Sequence, residues 1–143
     1  MGSLHIEVDD RERAVELFKQ ALAIDPDHEV SLNALGYLYA EQNINLDEAQ
    51  QLIERVLALD PDNGAYLDSM GWVYFKKDMP YKALEYLTKA SMAFQDPVIY
   101  EHIGDVYHAL NENENARKYW QRSLDLLADQ DHVIEKMNKL DGN

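Results

Sequence analysis

The sequence predicts an all-α fold, a right-handed superhelical solenoid of antiparallel helix pairs, on three observations. Gly36, Gly71 and Gly104 recur at steps of 35 and 33 residues. Ala14, Ala49, Ala83 and Ala116 keep the same rhythm, at steps of 35, 34 and 33. Large apolar residues stand at helical offsets around both series, and no stretch alternates as a strand does. A period of about 34 residues marks a solenoid, in which each unit buries its apolar face only against its neighbours. A chain of 143 residues then needs no central core.

Each element follows from its local pattern. Asp10 to Ile24 reads as an amphipathic helix with Ala14, Phe18, Ala21 and Leu22 inward. It stops at Asp25-Pro26-Asp27, because proline disfavours the α conformation in the residue before it. Glu29 to Glu41 follows, with Leu32, Leu35, Gly36 and Tyr39 on one face, and Gln42 to Asn45 is a polar turn. Leu46 to Leu59 is ended by Asp60-Pro61-Asp62. The next pair is Ala65 to Lys76 and Pro80 to Ala93, with Pro80 tolerated in a first turn, before the break at Gln95-Asp96-Pro97. Val98 to Leu110 and Glu114 to Leu127 form the pair after it. A last helix, Asp131 to Leu140, puts Val133, Ile134, Met137 and Leu140 on one face and its charges on the other.

About eight helices result, with no linker long enough to divide them. The expected organisation is a single array over residues 10–143: the second half of a truncated repeat at 10–26, repeats at 29–62, 64–96 and 97–128, and a capping helix at 131–140. Residues 1–9 are read as a disordered lead-in, with Met1-Gly2-Ser3 resembling an expression-vector remnant. Gly2 to Asp9 is too short and too polar to supply the helix that should precede Asp10 to Ile24. The expectation is therefore a C-terminal piece of a longer array, whose uncovered apolar edge invites a homodimer.

Composition narrows the function. No cysteine is present, which excludes disulfides and thiolate metal sites. No run approaches the roughly 20 apolar residues needed to span a bilayer. Net charge is −14, unevenly spread. Residues 27–65 carry eight acids against Arg55 alone, whereas residues 66–96 balance four acids with four lysines. An acidic surface repels phosphate backbones and anionic lipid heads, so neither a nucleic-acid partner nor direct membrane insertion is expected. No Gly-rich phosphate loop, nucleophile elbow or metal-protease motif occurs, so the chain reads as non-enzymatic and without cofactor.

The pattern resembles the tetratricopeptide repeat, a helix-turn-helix unit. In that family a bulky residue, an apolar residue with Gly, and an aromatic mark the first helix; Ala, a bulky residue and a small one mark the second, and Pro closes the unit. Leu32, Leu35, Gly36, Tyr39, Ala49, Ile53, Val56 and Pro61 fill one copy. Leu67, Met70, Gly71, Tyr74, Ala83, Leu87 and Ala90 fill the next, with Gln95 at the proline position. Tyr100, Ile103, Gly104, Tyr107, Ala116, Trp120, Ser123 and Ala128 fill the third, and Ala14, Phe18, Ala21 and Pro26 keep half of an earlier one. One residue is inserted near Asn43 to Asn45 and one is lost before Pro97. The small residues let paired helices approach closely while the bulky ones fill gaps between units.

The resemblance implies a concave groove lined by first helices and holding a peptide or protein segment. Carried over position by position, the groove consists of Asn33, Tyr37 and Glu41; then Asp68, Ser69, Trp72, Phe75 and Lys76; then Glu101, His102, Asp105 and His108. Tyr37, Trp72 and Phe75 would form an aromatic centre bordered by acids and suited to a basic or apolar segment, with Trp72 and Phe75 either open to the groove or packed against neighbouring helices. The Lys, Arg and Asn clamp with which chaperone-binding members hold a terminal carboxylate is absent. His102, Asp105 and His108 lie at i, i+3 and i+6, which puts the outer two about 120° apart around the helix and predicts no metal site. His5, His28 and His132 read as surface residues.

Leu32 to Tyr37, Leu67 to Tyr74 and Glu101 to Tyr107 resemble bacterial members, many of them bodies of envelope lipoproteins or assembly factors. The resemblance implies the periplasmic face of the envelope as one location, and the residues themselves leave it open against the bacterial cytoplasm. Two other readings stand beside the groove-binding scaffold: a regulatory or targeting segment of a larger enzyme, and a self-association module using the N-terminal edge.

Overall fold

Proline-marked breaks and proline-free turns together divide the described chain into eight helices in the computed structural model, which describes residues 2–142, with side chains from Asp10 onward. They are α1 (Gly2–Ile24), α2 (Glu29–Glu41), α3 (Leu46–Leu59), α4 (Gly64–Lys76), α5 (Pro80–Ala93), α6 (Pro97–Ala109), α7 (Asn113–Leu126) and α8 (Asp131–Gly142). The expected ends hold to within a residue or two, with one larger difference. Helix α1 begins at Gly2, so residues 2–9 continue that helix instead of forming a separate lead-in; Met1 lies outside the described residues. No proline interrupts that stretch before Pro26, so nothing in it stops the helix.

Side chains and backbone geometry close the helix ends. His28 is the N-cap of α2, its Nδ1 accepting the Ser31 N–H at 3.3 Å. Asn63 caps α4 by accepting the Tyr66 N–H, and Asp96 caps α6 by accepting the Val98 N–H with Pro97 in the first turn. The turn inside each pair is the same device three times. Asn43, Asp78 and Asn111 adopt positive φ of 56°, 64° and 62°. The next residue in each turn donates its N–H back to a carbonyl one helical turn earlier, Ile44 to Tyr39 O, Met79 to Tyr74 O and Glu112 to Tyr107 O, at 2.9–3.0 Å. This is the Schellman closure, with Asn or Asp in place of the usual glycine because their short polar side chains tolerate the left-handed region.

Helices α2–α3, α4–α5 and α6–α7 pack as antiparallel pairs, and each pair stacks on the next. The small residues sit at the crossings. A Cβ on Gly71 would lie 2.6 Å from Leu87 Cγ and 3.1 Å from the Ala83 carbonyl oxygen. One on Gly36 would strike Ile53, and one on Gly104 would strike the Trp120 indole. Helix α4 reads apolar almost all round because it touches α2, α3, α5 and α6. A continuous core runs from Leu32 through Val106, with Val15, Phe18 and Leu22 of α1 packed against its start. Leu17 and Ile24 of α1, with Val30 of α2, stay exposed at that end.

Helix α8 is held separately, by a small cluster of Ala116, Trp120 and Val133 with Met137 and Leu140 against it. Buried Gln130 joins it to α7, its Nε2 donating to Leu127 O at 2.7 Å and to Ser123 O at 3.1 Å. The inward stripe of α8 differs from the expected one. Ile134 is exposed, and Lys136 takes the place beside Val133, Met137 and Leu140.

The crossings predict a specific sensitivity. Ala83 is fully buried with its backbone against Gly71, so Ala83→Leu overpacks the α4–α5 pair and lowers unfolding stability by about 1–3 kcal/mol. A melting midpoint unchanged by the substitution contradicts this packing.

Candidate functional site

Helices α2, α4 and α6 touch in succession and form the inner layer of the stack, and the residues expected to line a groove all lie on these three helices. The close stacking of the pairs brings three residues far apart in sequence into one column. Trp72 lies flat on His102, with ring centroids 3.9 Å apart and planes 17° from parallel. Tyr37 reaches the same imidazole from α2, its hydroxyl 3.5 Å from His102 Nε2. Phe75 packs beside Trp72 at 5.1 Å, and the Lys76 ammonium sits over the Trp72 ring at 5.3 Å.

The acids hold this column by hydrogen bonds. Glu41 Oε1 accepts the Trp72 indole N–H at 2.6 Å, and Asp68 Oδ1 lies 2.8 Å from His102 Nδ1. Asp68, Ser69 and His102 are buried. Burial, reinforced by Glu41 and Asp68, raises the Tyr37 phenol well above its ordinary pKa. Asn33 Oδ1, lower on the same face, is buried without a hydrogen-bond partner.

Of the two readings of Trp72, open to the groove or packed against neighbouring helices, the structure shows the second: it is only 6% exposed. It packs between the His102 and Phe75 rings, and Glu41 takes its one donor. What remains open is a hollow of about 450 Å³ over this column, bordered by Tyr37, Glu41, Trp72, Lys76, Glu101 and Lys136.

The far end of the face is closed by a residue that sequence reasoning misses. Lys136 of α8 donates to Glu101 Oε2 at 2.6 Å and to both Asp105 carboxylate oxygens, at 2.9 and 3.2 Å. His132, expected to be a plain surface residue, lies 3.1 Å from Glu101 Oε1, and Asp105 also accepts the Trp120 indole N–H. The available signal is a lysine three residues after Val133, on the inward stripe of α8. His102, Asp105 and His108 do not converge: His102 pairs with Asp68, Asp105 with Lys136 and the Trp120 indole N–H, and His108 lies beside the Trp120 ring at 5.6 Å. Among the described residues no three His, Cys, Asp or Glu side chains are placed to hold a metal ion.

Burial and charge compete within this cluster. Burial opposes the Glu101 carboxylate, but the hydrogen bonds and charges of Lys136 and His132 outweigh it, and its pKa falls below the usual glutamate value. At Asp105 burial wins and the pKa is raised, although Lys136 pulls it down. Burial likewise opposes the Lys136 ammonium, but Asp105 and Glu101 prevail and raise its pKa. A depressed carboxylate stabilises the fold above its unfolded pKa and loses that contribution as pH falls through the folded value. A raised lysine contributes below its unfolded pKa and loses it as pH rises through the folded one. The Glu101–Lys136 bridge therefore stabilises between the carboxylate and lysine ranges. Glu101→Gln should cost about 1 kcal/mol at neutral pH, with the gap to the parent narrowing as urea melts are repeated at falling acid pH. A gap that stays constant into acid contradicts the assignment.

Profiles of the tetratricopeptide repeat match residues 5–73 and 98–127, together about two thirds of the chain. No curated protein matches it by sequence. Several solved structures share its fold. TTC0263, a tetratricopeptide protein of Thermus thermophilus, superposes with a TM-score of 0.81 at 15% identity, over 94% of this chain and 75% of that one. PilF of Pseudomonas aeruginosa gives 0.77 at 24%, over 97% and 64%. The first tetratricopeptide domain of Spaghetti (RPAP3), solved with the HSP90 peptide SRMEEVD, gives 0.71 at 22%, over 80% and 90%. The matched repeats, the small-residue crossings and the stacked helix pairs make this chain a member of the tetratricopeptide repeat family.

Proposed function

We propose that this chain is a non-enzymatic interaction module that holds an extended segment of a partner protein along the face formed by α2, α4 and α6. The observation that carries the reading is the hollow of about 450 Å³ on that face, with a rigid aromatic floor and an acidic border. Its floor is pre-organised: the Trp72–His102 stack is fixed from four sides by Tyr37, Glu41, Asp68 and Phe75, so a ligand meets a surface that needs little ordering. Rigid aromatic area with polar groups at its edge is what peptide-binding hot spots use. The peptide-bound RPAP3 domain supports the reading by sharing the fold.

Charge indicates the kind of segment. Glu41, Asp68, Glu101 and Asp105 all serve this face, and Lys76 and Lys136 are the lysines that border its hollow. A basic or apolar segment is complementary to it, and an acidic one is not.

Peptide-display panning tests the proposal. The full chain is panned in parallel with a Glu41→Lys, Phe75→Ala variant brought to equal melting temperature. Peptides enriched only on the parent, with basic residues over-represented, are the expected result. Enrichment of the same peptides on both proteins places binding elsewhere and overturns the proposal.

A further inference from the structure

Two hollows on the concave side share a single wall. One is the hollow over the Trp72–His102 column. The other, about 760 Å³, lies where α4, α6, α7 and α8 meet, with Phe75, Trp120 and Leu140 as its large apolar residues and His108, Asn113 and Lys139 among its polar ones. Asp105 and Lys136 border both, so this ion pair stands at the boundary between them. Its ammonium is not supplied by the helices that build the groove. It comes from α8, whose one fully buried residue is Val133.

The chemistry at the boundary is that of a filled subsite. Two carboxylates, Glu101 and Asp105, converge on one ammonium at 2.6–3.2 Å, and the exposed His132 ring lies 3.1 Å from the other Glu101 oxygen. The Lys136 side chain is 33% exposed, so its flexible stem can swing into solvent without unpacking Val133. Exchanging its ammonium for another cation leaves the carboxylates equally satisfied. The balance between them then rests on what the incoming residue brings with it, and the apolar wall of the second hollow lies directly beyond.

We propose that Lys136 is a resident stand-in for a basic side chain of the partner. The segment carries a lysine or arginine followed by an apolar residue. Its cation replaces the Lys136 ammonium between Glu101 and Asp105, and the apolar side chain enters the hollow of Phe75, Trp120 and Leu140. This assignment rests on the groove reading above and specifies the partner it takes.

The two tryptophans report separately on the two ends, because the Trp72 indole N–H bonds to Glu41 and that of Trp120 to Asp105. The blocked peptide acetyl-Gly-Gly-Lys-Leu-Gly-Gly-amide is titrated into the 15N-labelled full chain while both indole resonances are followed. Lys136→Met should bind it about tenfold tighter than the parent, with the Trp120 resonance moving. Lys136→Arg, which refills the site, should behave as the parent does. So should Lys19→Met, which removes the same charge from an exposed position on α1. Replacing the peptide lysine by norleucine should abolish the gain. Equal affinity for the parent and Lys136→Met, or an equal gain from Lys19→Met, overturns the stand-in role. If the Trp72 resonance still moves in that case, the groove reading survives without it. If neither resonance moves in any variant, both fall.

Discussion

Everything on the concave face depends on how closely the two helices of each pair can approach. Gly36 lies against Ile53, Gly71 against Leu87 and the Ala83 backbone, and Gly104 against Trp120, leaving no room for a methyl group at any of the three crossings. Because the approach is set by small residues at one repeated spacing, successive first helices come to stand side by side. Tyr37, Trp72 and His102, spread over 65 residues of sequence, then meet in one column. A larger residue at a crossing would push a pair apart and spread that column before it touched any groove residue. The third crossing also links core to site, since the Trp120 that fills the space beside Gly104 donates its indole N–H to Asp105.

The polar groups of this face contribute orientation more than stability. Removing Asp68, His102, Glu101 and Asp105 from water is unfavourable, and their hydrogen bonds offset that loss without yielding a large surplus. What the pairs secure is orientation. Asp68 fixes the His102 ring against Trp72, and Lys136 fixes Glu101 relative to Asp105 across the gap between α6 and α8. Helix α8 is thus more than a lid over the last apolar surface: it supplies a charge to the site.

Local pattern makes most of the fold legible. Prolines after Asp25, Asp60 and Asp96, together with the polar turns, mark the helix ends to within a residue or two from α2 to α8. The Gly and Ala periods identify which faces cross. Two features escape for a physical reason: helical periodicity shows which face is buried, not what lies opposite it. Trp72 sits on the inner face of α4 with Phe75 three residues on, as the spacing indicates, but nothing in α4 itself reveals that His102 of α6 covers it. On α8, Ile134 and Lys136 compete for the inward stripe. Hydropathy favours isoleucine, while two carboxylates on α6 decide for lysine. The start of α1 escapes because polar composition argues against a helix there, whereas the absence of a breaker lets the helix run on.

Amide hydrogen exchange, with and without a peptide selected on the full chain, tests the central claim most directly. A ligand seated on the inner face should slow exchange in α2, α4 and α6 and leave the outer helices α3, α5 and α7 unchanged. Protection confined to α3, α5 and α7, or to the exposed end of α1, would contradict it and place the partner on another surface.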